Sequence, residues 1–237
     1  MYEFKSRVRY SEIGPDKHLT LPSIINYFQD CSTFQSEALG VGLAYLEKEH
    51  RAWILNSWQI NIADYPYLGD DITISTWAYD FKGTYGNRNF LLKGANDTVY
   101  ASANSIWIYM DTKNSRMLRV PKEMAARYGM EEAYKMEYAP RKIALPDTLE
   151  EKDGFPVLQS NLDTNHHVNN EEYVKMAAAY LPAHFIVGRM RAEYRSSAVL
   201  GDEIIPYTDN QPNVCTIALC NRDHAIYAII EFTRKDS

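Results

Sequence analysis

The sequence predicts an α+β protein in which two antiparallel sheets each wrap around one helix. Three observations lead to this class: apolar stripes of helical period, runs of short strand-like segments, and a repeat of that order along the chain. The 237 residues are 46% hydrophobic and 24% charged, which is enough for one large domain or two of ~120 residues each. We therefore expect a chain that is globular throughout.

The first copy of the repeat begins with a strand and a capped helix. The segment 4–10 alternates as a strand, and Thr20 is placed to cap a helix in which Pro22 lies early and Gly40 marks the end. A short second helix is predicted over 43–50. The buried stripe of the first helix is predicted to be Ile24, Tyr27, Phe28, Cys31 and Phe34. The strands that follow are predicted over 52–63, 71–81, 87–93 and 99–111.

A different composition separates the two copies. Prolines punctuate residues 121–156, at positions 121, 140, 146 and 156, with a short helical piece predicted around 123–137. This segment is therefore predicted to be a linker.

The second copy again places a helix before four strands. Asn169 or Asn170 can cap the helix, Glu171 and Glu172 suit the positive end of its dipole, and Pro182 stops it. Its apolar stripe is predicted to be Tyr173, Met176, Ala177, Tyr180 and Leu181. The later strands are predicted over 188–196, 203–208, 214–221 and 225–234.

Matching positions show that the two copies are a repeat. Ser11 and His18 match Ser160 and His167, and both pairs have the same separation along the chain. Further on, the segment 68–72 (LGDDI) matches 200–204 (LGDEI) at a smaller separation. The smaller separation means that the second copy has a shorter connection from its helix to its strands.

A long apolar helix followed by antiparallel strands is typical of a sheet wrapped around a helix, the hotdog arrangement. One such sheet leaves a face to bury, and two copies in one chain can bury it for each other. We therefore predict a double (tandem) hotdog: residues 1–120 as an N-terminal hotdog that shapes the binding cavity, 121–156 as the linker, and 157–237 as a C-terminal hotdog that carries the candidate functional loop.

One short loop is the candidate for the chemistry. Residues 160–170 combine one carboxylate, four amides and two imidazoles directly before the second helix. Asp163, Asn165 and His167 thus lie at a helix N-terminus, where free backbone N–H groups can receive a negative oxygen. The structural alternative is an ordinary turn with a cap, for which Asn, Asp, Ser and Thr are common.

The two copies differ in this loop, which favours the functional interpretation. Asp163 aligns with Gly14, and Asn165 aligns with Asp16, so the first copy lacks the Asp–Asn–His set. A purely structural repeat gives no reason for that difference. We therefore predict one catalytic copy and one copy that shapes the binding cavity.

Composition excludes several other classes. A net charge of −6 is unlike the basic surface of a nucleic-acid binder. The alternating charges of residues 1–9 indicate a strand rather than a signal peptide, and no apolar run approaches the ~18 residues of a membrane helix. Three cysteines (Cys31, Cys215, Cys220) fit a reducing cytosol better than a disulfide framework. The adjacent His166 and His167 cannot chelate well, so neither a metal nor an organic cofactor is expected.

The chain also resembles a known family over nearly its whole length. The matching segments are Arg9-Tyr10-Ser11-Glu12-Ile13-Gly14, Trp53-Ile54, Tyr65-Pro66, Gly69-Asp70, Trp107, Arg119-Val120-Pro121-Lys122, Leu162-Asp163-Thr164-Asn165-His166-His167-Val168-Asn169-Asn170 with Tyr173, and Glu193-Tyr194-Arg195. In this order and spacing they resemble the acyl-(acyl carrier protein) thioesterases, which end fatty-acid synthesis. The resemblance implies catalytic roles for Asp163, Asn165 and His167, and substrate-binding roles for Asn169 and Trp53.

The sequence departs from the family just after Glu193-Tyr194-Arg195. Plant-type members place a glutamate there, whereas either Ser197 or Ala198 occupies that position here. Glu193 and Ser197 are four apart on a predicted strand and therefore share a face, with Tyr194 pointing away. Ser197 is predicted to hold a water that Asp163 or His167 activates. Glu193 is the alternative carboxylate, although an ion pair with an arginine such as Arg191 is the favoured role for it.

The predicted function is hydrolysis of a fatty acyl thioester on acyl carrier protein. The predicted location is the cytoplasm, and a homodimer is possible. Two alternatives stay open: a hotdog dehydratase acting on a hydroxyacyl thioester, and a module that binds acyl thioesters without turnover. An acidic carrier protein needs a basic docking surface. Two clusters are predicted for it: Arg116, Arg119, Lys122 and Arg127, or Arg189, Arg191 and Arg195.

Overall fold

The computed structural model describes residues 1–235, which form two compact units. The first unit contains residues 1–56 and 60–138, and the second contains residues 57–59 together with the chain from Ala139 onward. The division at Tyr138/Ala139 falls inside the segment predicted to be the linker.

The first unit is built on an antiparallel sheet. Its strands are β1 (Tyr2–Arg7), β2 (Arg51–Ile62, of which 57–59 belong to the second unit), β3 (Asp71–Lys82), β4 (Tyr85–Lys93), β5 (Val99–Asp111) and β6 (Arg116–Met117). The strand order is β1-β3-β4-β5-β2, with β6 paired to β5. The pairs β1/β3, β3/β4 and β4/β5 are antiparallel, and Phe90 lies opposite Thr76 on one side and Ala103 on the other. The predicted strands therefore exist, with ends displaced by at most three residues; the largest difference is in β1, which ends at Arg7 rather than at residue 10.

Helix α1 (Leu21–Ala38) packs against β3 and β1. The Thr20 side chain accepts a hydrogen bond from the Ser23 N–H and Pro22 lies in the first turn, so the predicted cap is confirmed. Its apolar face buries Ile24, Ile25, Tyr27, Phe28 and Cys31. The predicted stripe is wrong at Phe34, which is 44% exposed because it lies at the rim, edge-on to Phe4 with ring centroids 5.4 Å apart.

Two shorter helices complete the first unit, α2 (Leu43–Lys48) and α3 (Lys122–Tyr128). The helix predicted over 123–137 is half as long as expected, because Gly129 ends α3 with φ +67°. Beyond it the chain lies extended along the sheet, held by side chains that the helical pattern does not reveal. The Trp77 indole donates to the Glu132 carbonyl (2.9 Å), and the Asn89 side-chain oxygen accepts from the Tyr134 N–H (3.0 Å).

The second unit consists of antiparallel strands and one α-helix. Its elements are β7 (Glu150–Glu151), β8 (Phe155–Pro156), α4 (Asn170–Ala178), β9 (Val187–Tyr194), β10 (Glu203–Asn210), β11 (Val214–Cys220) and β12 (Ile226–Arg234). The strand order is β9-β12-β11-β10-β7, with β8 paired to β10, and every described pair is antiparallel. Helix α4 packs against β11 and β12.

The face of this sheet opposite α4 is covered by the segment that follows Ala139. Ile143 packs into a cluster with Ala218, Cys220 and Ile229. The Ile143 N–H donates to the Glu193 carboxylate (2.8 Å), so strand β9 also holds this segment by a hydrogen bond. Both faces of the sheet are therefore buried, which fits its nearly continuous apolar strands.

Each unit thus places an α-helix on an antiparallel sheet, which confirms the predicted α+β class. The cysteines are buried free thiols. Within residues 1–235, none of the helices combines the length and the apolar character that crossing a membrane requires.

Candidate active site

The loop before α4 is a tight, well-bonded turn. Asp163 donates its N–H to the His167 carbonyl (2.7 Å), and His166 donates its N–H to the Asp163 carbonyl (3.1 Å). His166 takes φ +61° at the corner, and Leu162 and Val168 form a β-bridge across the turn. The backbone therefore fixes where the side chains of Asp163, Asn165 and His167 leave the loop.

The first unit contains the same turn at the positions that the repeat predicts. The Gly14 N–H donates to the His18 carbonyl (2.9 Å), and the Lys17 N–H donates to the Gly14 carbonyl (2.9 Å). Lys17 takes φ +65°, and Ile13 bridges Leu19. The backbone geometry is thus repeated, while the first turn, which carries Asp16 and His18, lacks the full Asp–Asn–His set of the second.

The Asp163 carboxylate uses one oxygen to hold this turn. Its Oδ1 accepts hydrogen bonds from the Asn165 N–H (2.8 Å) and the His167 N–H (3.2 Å). Its Oδ2 is within 3.5 Å of the Asn165 side-chain nitrogen and has no other hydrogen-bond partner in residues 1–235. Asp163 therefore has the turn role expected of an aspartate before a helix, and it keeps one oxygen available.

Three groups at the helix start can meet a substrate: the Asn165 side chain, whose nitrogen makes a long hydrogen bond to Asp163 Oδ2 (3.5 Å), the His167 imidazole, and the Asn170 N–H. The side chains of Asn165 and His167 are exposed, and nothing in residues 1–235 forms a hydrogen bond with the His167 imidazole. Asn169 caps α4 by accepting from the Glu171 N–H (3.2 Å), as predicted. The Asn170 N–H, at the first position of the helix, has no acceptor inside the helix and none elsewhere in the described chain.

A second segment, residues 196–199, lies directly beside the loop. The Val168 N–H donates to the Ala198 carbonyl (2.9 Å), and His167 forms a β-bridge with Val199. Ser197, between strand β9 and this contact, is exposed, and its hydroxyl makes no hydrogen bond to the described residues. The structure therefore brings Ser197 next to the loop that carries Asp163, Asn165 and His167.

Three tyrosines form hydrogen bonds to the start of α4 and to the segment after β9. The sequence pattern does not identify them as site residues. The Tyr173 hydroxyl accepts from the Ala198 N–H (2.8 Å), the Tyr194 hydroxyl donates to the Asn170 carbonyl (2.9 Å), and the Tyr227 hydroxyl donates to Asp202 (3.1 Å). The rings of Tyr194 and Tyr227 lie 6.1 and 6.5 Å from that of Tyr173. The tyrosines in β9, β12 and α4 were the sequence signal that could have identified these supporting residues. Apolar periodicity explains tyrosine at those positions equally well.

Glu193 lies on the opposite face of β9 from Tyr194. Its carboxylate accepts from the Ile143 N–H (2.8 Å) and from Arg195 Nε (3.0 Å), and the residue is 4% exposed. Arg191 instead pairs with Glu231 (2.9 Å). This placement favours the ion-pair role predicted for Glu193, with Arg195 rather than Arg191 as its partner.

Trp53 belongs to an aromatic cluster of the first unit. Its ring centroid lies 4.8 Å from that of Tyr109, 6.1 Å from Phe81 and 6.2 Å from Tyr128. Its buried indole N–H has no hydrogen-bond partner in the part of the chain described. No group of three or more His, Cys, Asp or Glu in residues 1–235 is arranged to hold a metal ion.

Comparison with known families agrees with this geometry. The model of the acyl-ACP thioesterase N-terminal domain matches residues 1–128, and that of the C-terminal domain matches residues 146–226. This chain belongs to the acyl-ACP thioesterase family. The turn of the second unit lies within the C-terminal match, and its counterpart in the first unit lies within the N-terminal match.

Individual acyl-ACP thioesterases are similar to this chain at low identity. The chloroplastic acyl-[acyl-carrier-protein] hydrolase FATB3 of Cuphea viscosissima is 25% identical over 190 residues, which cover 74% of this chain and 45% of that protein. The structure of a putative oleoyl thioesterase from Lactobacillus plantarum matches with a TM-score of 0.87 and 22% identity, over 99% of this chain and 97% of the other. The 12:0-ACP thioesterase of Umbellularia californica matches with a TM-score of 0.88 and 18% identity, over 100% and 97%. The match spans less than half the length of the Cuphea viscosissima hydrolase. The two solved structures have the same fold as this chain.

Proposed function

We propose that this chain hydrolyses the thioester of a fatty acyl group carried on acyl carrier protein and releases the free fatty acid. The observation that carries the proposal is the convergence of Asp163, Asn165, His167 and Ser197 at the start of α4. The relatives of this chain are named as acyl-ACP hydrolases and thioesterases, which supports the substrate class.

His167 is the proposed proton carrier. Its neutral imidazole takes a proton from water as the water oxygen bonds to the thioester carbon. The imidazolium then gives that proton to sulfur as the carbon–sulfur bond breaks, so the products are a carboxylic acid and a thiol. The exposed, unbonded imidazole leaves both ring nitrogens accessible for this role.

Asp163 and Ser197 are proposed to place the attacking water. Asp163 Oδ2 accepts a long hydrogen bond from the Asn165 side chain (3.5 Å), so it can also accept a hydrogen bond from water and stabilise the imidazolium. Ser197 supplies a hydroxyl where the family has a glutamate. Its exposed position beside Ala198 suits a group that binds water rather than one that removes a proton.

Asn165 and the start of α4 are proposed to polarise the thioester carbonyl. The Asn165 side chain offers an N–H₂ donor, and the Asn170 N–H is unsatisfied at the helix N-terminus. Two such donors stabilise the oxyanion that forms when water attacks, and removing one oxyanion donor typically costs ~10²–10³ in kcat.

The first unit is proposed to bind the acyl chain. Its turn lacks the Asp–Asn–His set, and its aromatic cluster around Trp53 offers an apolar surface. The carrier protein is proposed as the partner, and the buried free thiols of Cys31, Cys215 and Cys220 support a reducing, cytoplasmic setting.

Product analysis tests this proposal. The purified chain is incubated with acyl carrier protein thioesters of increasing acyl length, and the products are identified by mass spectrometry. We expect free fatty acid and free carrier thiol in equal amounts. An enoyl thioester formed from a hydroxyacyl substrate would identify a dehydratase instead, and bound but unchanged thioester would identify a binding module.

A further inference from the structure

One backbone N–H distinguishes the two copies of the site. In the second unit the Val168 N–H donates to the Ala198 carbonyl (2.9 Å), and in the first unit the Leu19 N–H donates to the Pro66 carbonyl (2.8 Å). Position 198 therefore matches position 66 in structure, in step with the sequence match between 200–204 and 68–72. Ala198 has an N–H that must be satisfied in a fully buried position. Pro66 has none.

The helix that faces this position differs in the complementary way. Tyr173 matches Ile24 in the same alignment that pairs His167 with His18, and both are buried. The Tyr173 hydroxyl accepts a hydrogen bond from the Ala198 N–H (2.8 Å). Ile24 has no hydroxyl, and Pro66, which matches Ala198, has no N–H that requires an acceptor. A hydroxyl is thus present where the backbone donor is present, and absent where proline removes it.

We propose, on the basis of the function proposed above, that Tyr173 is a positioning residue for hydrolysis. Its hydroxyl holds the Ala198 amide and thereby fixes Ser197 on one side and the His167–Val168 edge on the other. Ala198 connects the two, because its N–H is bonded to helix α4 and its carbonyl is bonded to Val168.

The surroundings of Tyr173 suit a fixed neutral hydroxyl. The residue is 2% exposed, and burial raises the pKa of its hydroxyl to about 12. The hydroxyl therefore stays protonated at working pH and acts through its acceptor oxygen, so Tyr173 takes no part in the proton transfer itself.

The test is a double-variant cycle that uses the first unit as its template. Tyr173→Phe keeps the ring and removes the acceptor, so kcat should fall about three- to tenfold, as for one lost hydrogen bond, with KM within twofold. Hydrogen exchange at the Ala198 amide should become faster. Adding Ala198→Pro removes the orphaned N–H, as Pro66 does, and the Tyr173→Phe/Ala198→Pro protein should recover most of the lost kcat and melting temperature.

Pro66→Ala is the matched control. It creates the same buried N–H opposite Ile24, so the melting temperature should fall while kcat stays within twofold. Unchanged kcat in Tyr173→Phe, or a double variant no better than Tyr173→Phe, would overturn the proposal. If the variant with Ala198→Pro does not fold, Tyr173→Phe by itself tests the proposal. Hydrogen exchange at the Ala198 amide that is as slow in Tyr173→Phe as in the wild type would contradict the assigned bond. A wild-type protein without hydrolytic activity would overturn the proposed function and this catalytic role, whereas faster exchange would still establish the Tyr173–Ala198 bond.

Discussion

Asp163 has one role that the structure shows and one that we propose. Oδ1 closes the turn through the N–H groups of Asn165 and His167, and Oδ2, which accepts a long hydrogen bond from the Asn165 side chain (3.5 Å), is proposed to act in the chemistry. An aspartate before a helix predicts the first role from sequence alone. The second role depends on how many N–H groups one oxygen can satisfy, which is a property of the folded turn and cannot be obtained from residue spacing.

Ser197 and Glu193 provide the sharpest test at the level of single residues. Ser197→Ala should lower kcat about ten- to a hundredfold, because it removes one hydrogen bond to a reacting water. Ser197→Glu, which restores the plant-type residue, should retain activity. The measurement is steady-state hydrolysis of a carrier-linked thioester.

Glu193→Gln is the matched comparison. It weakens the contacts to Arg195 and the Ile143 N–H, so we expect a lower melting temperature with kcat within a few fold. A loss of kcat as large as that of Asp163→Asn would make Glu193 the base and would contradict the proton-carrier role proposed for His167.

At the level of elements, helix α4 carries an unusual carboxyl. The two glutamates of its first turn were both expected to favour the helix dipole. Glu172 is bonded to Lys175 (2.8 Å) and to the Asn161 side chain (2.8 Å). Glu171 is instead 7% exposed, and burial, with a smaller effect from the charge of Glu172, raises its pKa to about 7.

Glu171→Gln should therefore stabilise the protein in a pH-dependent way. The charged groups that act on Glu171 are Glu172, which raises its pKa, and Lys175, which lowers it. Below pH 4.5 the carboxyl is protonated in both the folded and unfolded states. As pH rises from 4.5 to 7 the unfolded state ionises first, so wild-type stability falls. Above pH 7 the melting temperature of Glu171→Gln should exceed that of the wild type by about 4–8 °C.

The control for this prediction is Glu172→Gln. It removes the ion pair with Lys175 and should not raise the melting temperature at any pH. An equal melting temperature of Glu171→Gln and wild type at pH 8 would show that the buried carboxyl carries no such cost.

The elements show where sequence patterns succeed and where they fail. Helix α1 and the long strands were predicted because caps and apolar periodicity are local signals. Helix α3 was predicted too long because the end signal of Gly129 was not recognised, and the path of the chain beyond it depends on Asn89 and Trp77, side chains on strands distant in sequence. The Tyr173–Ala198 bond escaped prediction for the same reason, since it joins residues 25 apart through the folded sheet.

At the level of the whole molecule, the two predicted basic clusters differ in availability. Arg191 binds Glu231 and the carbonyls of Pro140 and Lys142, and Arg195 binds Glu193, so the cluster on β9 serves the fold of the second unit. In the first unit Arg119 and Lys122 are exposed and have no ion pair within the described chain. The cluster of Arg116, Arg119, Lys122 and Arg127 is therefore the better candidate for docking an acidic carrier.

Charge reversal tests this docking surface. Arg119→Glu with Lys122→Glu should raise KM for a carrier-linked thioester and weaken its dependence on salt, because fewer favourable charge pairs remain to be screened. A short soluble thioester should be hydrolysed as by the wild type. Equal losses on both substrates would point to misfolding, as we expect for Arg191→Glu.

The repeat made part of the candidate site predictable, because Asp163 and Asn165 differ from Gly14 and Asp16 at the matching positions of the first turn. His167 has a counterpart in His18, and it was predicted from the loop that it shares with Asp163 and Asn165. The sequence did not decide between Ser197 and Glu193 as the residue that takes the place of the missing family glutamate. That choice depends on the face of β9 that Glu193 occupies and on the segment after β9 that brings Ser197 beside the loop.

The most direct test compares the two copies of the turn. His167→Ala and His18→Ala are assayed side by side for release of free fatty acid from an acyl carrier protein thioester, with circular dichroism to confirm folding. His167→Ala should lower kcat by about 10²–10⁴, whereas His18→Ala should stay within a few fold of the wild type. A loss as large in His18→Ala as in His167→Ala would contradict the claim that the second unit alone carries the chemistry.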